Sequence, residues 1–309
     1  MSGRTPIGER PLPGAAVEVL ESLHQHRLLS VGQIHLLHTP EKSRRWTQRL
    51  VGELAAHGLV RFVRDTGARK LWFVTDDGAD AVAALASGAD PRRKVITPAQ
   101  AAGPLRRHTL AVNDAGIAFV AAARRRGDEC GALSWRHEVA HPIGRPAGRG
   151  RGELLIADAL LTYIRVDEAG EATLHYRFLE LDRATIPADA LARKLTRYAR
   201  LHRYASAARK GQPAEPDWRA HYPSFPAVHV LLAGGSRAAL ERRLARVASL
   251  AGDDPELAEA PAVSISFALL AELVEHGPFA SIFVELSDPE RPVSWLGPER
   301  ASARQGGGG

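Results

Sequence analysis

Cysteine is almost missing from this chain: Cys130 stands alone among 309 residues. That excludes an internal disulfide and any multi-cysteine zinc or iron–sulfur site. No run of about 18 apolar residues is available to span a bilayer. The opening stretch Met1-Ser-Gly-Arg-Thr-Pro-Ile-Gly-Glu-Arg-Pro-Leu-Pro-Gly14 lacks the apolar core of a secretory leader, so a cytoplasmic chain with no membrane partner is expected. Acid is in shorter supply than base, leaving a formal charge of +6. By itself that is a mild pointer to a polyanionic partner. The apolar fraction of 45% and charged fraction of 25% are ordinary for a globular protein, and the length suggests two domains.

What is present is unevenly placed. Between Glu41 and Trp72 eight cations (Lys42, Arg44, Arg45, Arg49, Arg61, Arg64, Arg69, Lys70) face three anions (Glu41, Glu53, Asp65), so nearly the whole excess lies in one segment. Val17, Leu20, Leu23 and Leu28 recur at near-helical spacing over Ala15–Leu28, and Ser30 is placed to cap a second helix through Leu37. Over Glu41–His57, Trp46, Leu50 and Leu54 form one apolar stripe, while Lys42, Arg45 and Arg49 form a basic stripe on another face. One stripe packs and the other is free for phosphate. Gly58 is placed as a C-cap. Leu59–Arg64, a turn at Asp65–Ala68 and Lys70–Thr75 then predict a hairpin, and Asp77–Ala86 a closing helix.

Three helices and a hairpin follow the order of a winged helix-turn-helix, here over residues 14–87, and Glu53-Leu-Ala-Ala-His-Gly-Leu-Val60 resembles the helix-to-wing junction of bacterial regulators. In that fold the third helix enters the major groove and the wing touches backbone. The resemblance makes Ser43, Arg44, Thr47 and Gln48 candidate base-edge readers, and Lys42, Arg45, Arg49, Arg69 and Lys70 candidate phosphate contacts. The other reading is a protein-docking module with a solvated charged face.

The proline-bearing stretch 88–104 is the expected linker, and 105–298 the second domain. There a helix over Leu105–Arg126 is followed by a strand near Ser134–Ala140 and a glycine- and arginine-rich loop, Gly144–Gly152. Strands at Leu154–Ile164 and Thr173–Asp182 come next, then a helix from Pro187 to about Ala208. A strand at Phe225–Leu232, a helix at Ser236–Ala251 and strands at Val263–Phe267 and Ser281–Leu286 complete an α/β pattern. Residues 299–309 are expected to be a disordered tail. Strand alternation puts Glu180 and Asp182 on one face. If Asp158 on the neighbouring strand joins them, the three carboxylates suit magnesium or manganese with waters completing the shell. Lys194, three residues from Leu191 on the next helix, is within reach of them.

This arrangement, an acid on one strand, Glu-x-acid on the next and a lysine on the following helix, resembles the PD-(D/E)xK nuclease fold with its lysine moved to the helix. The order Trp135…Glu138, Ile156-Ala-Asp-Ala159, Phe178-Leu-Glu-Leu-Asp-Arg183, Lys194-Leu-Thr-Arg-Tyr198 and Phe225-Pro-Ala-Val228 resembles the actinobacterial replication-relaxation family over nearly the whole chain. The resemblance implies Asp158, Glu180, Asp182 and Lys194 as a catalytic set and Glu138 as an auxiliary acid. It further implies double-stranded DNA as partner, with a second copy of the chain and plasmid replication or conjugation proteins as other candidates. Two functions stay open. One is a replication or mobilisation factor that nicks or relaxes duplex DNA with a divalent metal. The other is a non-catalytic regulator or scaffold, its acids paired with Arg183, Arg193 and Lys194 and its second domain used for dimerisation or docking.

His137-Glu-Val-Ala-His141 matches the zinc-protease pattern HExxH. That chemistry needs a helix to bring both imidazoles onto one ion. Pro142 disfavours helical backbone at His141, and on a strand the two would stand roughly 13 Å apart. His24, His26, His35 and His38 are expected to be surface or packing residues.

Overall fold

The computed structural model describes residues 12–85, 95–145, 152–206 and 215–297. The expected linker's 88–94, most of the Gly144–Gly152 loop and the tail 299–309 lie outside them. The fold is mixed α/β, and the predicted helices and strands occur in order, joined by short elements at Leu29–Ser30, Pro98–Ala102, Pro255–Ala258 and Leu270–His276 that the sequence does not predict.

The first part runs α1 (Gly14–His26), β1 (Leu29–Ser30), α2 (Val31–His38), α3 (Arg44–Ala56), β2 (Val60–Arg64), β3 (Lys70–Val74) and α4 (Asp76–Ala84). Ser30 starts α2 with a capping box, its hydroxyl accepting from Gln33 N while the Gln33 side chain accepts from Ser30 N. Ser43 caps α3 and Thr75 caps α4 in the same one-sided manner. β2 and β3 pair antiparallel, and β1 adds to β3, making a three-stranded sheet in the order β1-β3-β2. Within the expected linker, Thr97 and Gln100 form a capping box that nucleates α5 (Pro98–Ala102).

The second part comprises α6 (Arg106–Arg126), β4 (Trp135–Pro142), β5 (Leu154–Val166), β6 (Ala172–Asp182), α7 (Ala188–Arg203), β7 (Ala227–Leu232), α8 (Arg237–Gly252), α9 (Pro255–Ala258), β8 (Ile265–Leu269), α10 (Leu270–His276) and β9 (Val284–Glu285). Their six-stranded sheet has the order β4-β5-β6-β7-β8-β9. β5 runs antiparallel to both β4 and β6, while β6, β7 and β8 are parallel and β9 is antiparallel at the edge. Its two faces are covered differently. Leu179, Leu181 and Leu231 pack toward α6, whereas Phe178, Val228 and Val230 pack toward α7 and α8.

The core under α6 is continuous with that of the first part, joining Leu20, Leu23 and Leu54 to Phe119, Trp135 and Leu179. At the junction His26 stacks on Trp135 at 3.8 Å between ring centroids. Gln25 donates to the Leu133 and Trp135 carbonyls, and Asn113 to the Leu28 carbonyl. Trp135 lies against α6 because Gly116 has no side chain: a Cβ there would come within 2.4 Å of the indole. Gly116→Ala is therefore expected to lose about 1–3 kcal/mol through overpacking, measured as a lower denaturation midpoint. Wild-type stability would show that Trp135 is free to move.

Candidate functional site

β5 and β6 part company in mid-sheet. Their ladder extends from Val166↔Ala172 to Ala159↔Leu179 and stops. Beyond it Leu154–Ala157 pair with β4, while Glu180–Asp182 pair with β7. At the fork the Asp158 carboxylate takes the place of a backbone acceptor, receiving the Leu181 N–H at 2.8 Å. On the other side of Asp158, β4 bends at Glu138, a non-glycine residue at φ 51°. This is a sparsely populated conformation costing on the order of 1–3 kcal/mol.

The fork so opened gathers Asp158, Glu180, Lys194 and Tyr198. Lys194 Nζ donates to Asp158 Oδ1 at 3.0 Å and to Glu180 Oε2, bridging the two strands from α7. The Tyr198 hydroxyl, one helical turn further on, donates to the other Glu180 oxygen. Glu180 is buried, its side chain 1% exposed, while those of Asp158 and Lys194 are 19% and 24% exposed. Burial and the facing Asp158 carboxylate push Glu180 up to about 8, against the pull of Lys194 and Tyr198. Burial opposes the charge on Lys194, yet the two acids outweigh it and its pKa is raised. His108, near the start of α6, places Nε2 3.6 Å from Asp158 Oδ2.

Asp182 does not join this group. It shares a face with Glu180, but Arg243 of α8 holds its carboxylate through two nitrogens, with Nη2 3.0 Å from Oδ1, and Ala184 N donates to it as well. The three-carboxylate metal site is accordingly corrected to a pair: among the described residues no three His, Cys, Asp or Glu converge as ligands. The pair still suits a hard, water-keeping cation, because Asp158 and Glu180 aim oxygens at one point where a cationic group, the Lys194 ammonium, already sits. Glu138 is also displaced from its expected auxiliary role. Its carboxylate is engaged by Arg27 at the end of α1, with Nη1 to Oε1 at 2.7 Å. Arg193 pairs with Asp189.

The zinc-protease pattern is dispersed. The bend at Glu138 sends His137 toward α6, where it meets Asn113 Oδ1 at 2.8 Å, and His141 to the other face, beside Tyr222 at 3.2 Å.

On α3 the apolar stripe gains Thr47 and Val51, both buried. Thr47 bonds to Thr39 at 2.7 Å and His35 at 3.0 Å, so it cannot read a base edge. The Ser43 hydroxyl is occupied in capping. Arg44, Arg45, Gln48 and Arg49 are exposed on the outer face of α3, whereas Lys42, expected in the same helical stripe, is exposed in the turn before the Ser43 cap. None of these four cations has an ion-pair partner among the described residues. On the hairpin, Arg69 is paired with Asp65 at 2.7 Å, and Lys70 lies 4.4 Å from the centre of the Phe62 ring.

Three positions at the fork escaped sequence reasoning in this role. Tyr198 follows Lys194 by four, the signal of a shared helix face, but reads equally as packing. His108 and Arg243 lie far away in sequence and carry no local signal.

The model of the replication-relaxation family matches residues 20–214. The chain belongs to the replication-relaxation family. The matched span contains Asp158, Glu180 and Lys194, and membership supports a DNA-related function. Arg243 falls beyond the span. No curated protein matches this replication-relaxation chain. Among solved structures it is similar to restriction endonuclease FokI, at 12% identity over 85% of this chain and 43% of FokI, with a TM-score of 0.27. So remote a likeness carries no argument. No described helix is long and apolar enough to cross a membrane.

Proposed function

We propose that this replication-relaxation protein grips duplex DNA with its winged head and cleaves or nicks one strand at the β5–β6 fork. The observation that carries the reading is the convergence of Asp158, Glu180 and Lys194 from two strands and a helix, the residue types the PD-(D/E)xK resemblance calls for. Magnesium or manganese held by Asp158 and Glu180 would supply an activated water and neutralise charge on the phosphate. Lys194, released from between the acids, would then turn its ammonium to a phosphate oxygen. Tyr198 fixes the Glu180 carboxyl, and His108 keeps Asp158 facing the cleft.

For the head, the exposed face of α3 would supply Arg45 and Arg49 for phosphates, with Lys42 in the turn before the helix and Lys70 on the wing, while Arg44 and Gln48 would be offered to base edges. Each phosphate contact releases counterions. Arg45→Ala with Arg49→Ala is expected to flatten the plot of log affinity against log salt by roughly 1.8, two contacts at about 0.9 each. An unchanged slope would remove α3 from the interface.

A second reading has its own support. The acids are already satisfied by Lys194 and Arg243, as in an ion-pair network on a fold that binds DNA without cutting it.

A further inference from the structure

On the far side of β6 from Glu180, Arg177 is a cation without an anion. Burial pulls its pKa down to about 10, and no carboxylate of the described residues lies within ion-pair distance. Among the described residues its side chain makes one hydrogen bond, from Nη1 to the Tyr176 carbonyl at 2.9 Å, and its buried Nε has no partner. The guanidinium lies over the Trp295 ring at 4.8 Å, and the Trp295 indole N–H is also buried and unpartnered. Arg177 is half-buried, and even partial desolvation of a guanidinium without a counter-charge is costly. A fold that keeps one beside open space is prepared for a counter-charge.

The open space exists. Arg177 and Trp295 line a cavity of about 690 Å³ at the start of β7 and β8, together with Phe225, Ser264, Ser294 and Glu285. That volume is in the range of small-molecule sites. The lining offers a fork of N–H donors at Arg177, hydroxyls at Ser264 and Ser294, an aromatic ring at Phe225 and a carboxylate acceptor at Glu285, while Trp295, itself buried, backs the guanidinium. A ligand matching all of these carries an anionic group, a flat ring and an N–H donor.

We propose that this cavity binds a nucleoside monophosphate, its phosphate on Arg177, its base against the Phe225 ring and an amino group on Glu285. Planar guanidinium is suited to phosphate through paired donors. The site lies apart from the β5–β6 fork and from α3, so it stands whether or not the fork cuts DNA.

The test is calorimetric titration of the full chain with deoxyadenosine monophosphate, deoxyadenosine and inorganic phosphate. The monophosphate is expected to bind at least tenfold more tightly than either fragment. Arg177→Met is expected to abolish the heat. Because loss of a half-buried residue can unfold the chain, Ala262→Trp, which adds an indole at an exposed lining position, provides a second variant expected to abolish binding while thermal unfolding stays near wild type. Binding unaffected by Ala262→Trp, equal affinity for nucleoside and nucleotide, or no heat with wild type would each overturn the proposal.

Discussion

Asp158→Asn is expected to lower magnesium-dependent nicking of supercoiled DNA by more than about 100-fold while leaving duplex affinity within about twofold. Even groups that only support a metal's ligands cost 10–100-fold when removed, and Asp158, which has one oxygen on Lys194 and the other on Leu181 N, is proposed as a ligand. Asp182→Asn separates the two acids of the Glu-x-Asp pair. Its carboxylate belongs to Arg243, so its loss weakens a buried ion pair. The expected result is a lower melting temperature, about 3–5 kcal/mol for an uncompensated partner, with nicking retained below that temperature. Equal nicking by Asp158→Asn and wild type would leave the fork as an ion-pair network, and loss of nicking in folded Asp182→Asn would return Asp182 to the site.

A steep loss of stability in mild acid is the second large effect. Burial, with help from Arg124, holds His38 down at about 4 despite Glu21, and Glu18 stands 3.6 Å away but is mostly exposed. Burial, His221 and Arg136 hold His141 at about 4 likewise. An unfolded histidine takes its proton near 6.5. Folded values below the unfolded one mean that proton uptake favours the unfolded chain: stability is complete above about pH 6.5 and is lost as pH falls toward 4. At 1.36 kcal/mol per unit, each imidazole accounts for about 3 kcal/mol at most, enough together to lower the melting temperature by on the order of ten degrees. His141→Gln, neutral at every pH, is expected to give a shallower profile than wild type between pH 7 and pH 4.5. Parallel profiles would show that His141 protonates without unfolding.

Much of this was legible from residue spacing because it depends on local periodicity. The apolar stripe of α3 and its Arg45–Arg49 pair follow from three- and four-residue spacing, although Lys42 falls in the turn before the helix, and the shared face of Glu180 and Asp182 follows from strand alternation. Thr47 was misread as outward because a threonine looks polar, whereas Thr39 and His35 satisfy its hydroxyl inside. The fork was not legible. It depends on where the β5–β6 ladder stops and on the left-handed backbone of Glu138, and neither leaves a mark in composition. That same bend separates His137 from His141, which alternation alone would have kept on one face. Arg243 was invisible for a different reason: it comes 61 residues after Asp182, and only the packing of α8 on the sheet brings them together.

Anomalous scattering from crystals soaked in manganese tests the proposed cleavage site most directly. A peak within coordination distance of both Asp158 and Glu180, with the Lys194 ammonium moved aside, is the predicted result. Lys194 still bridging the two acids, with no peak between them at saturating manganese, would contradict it.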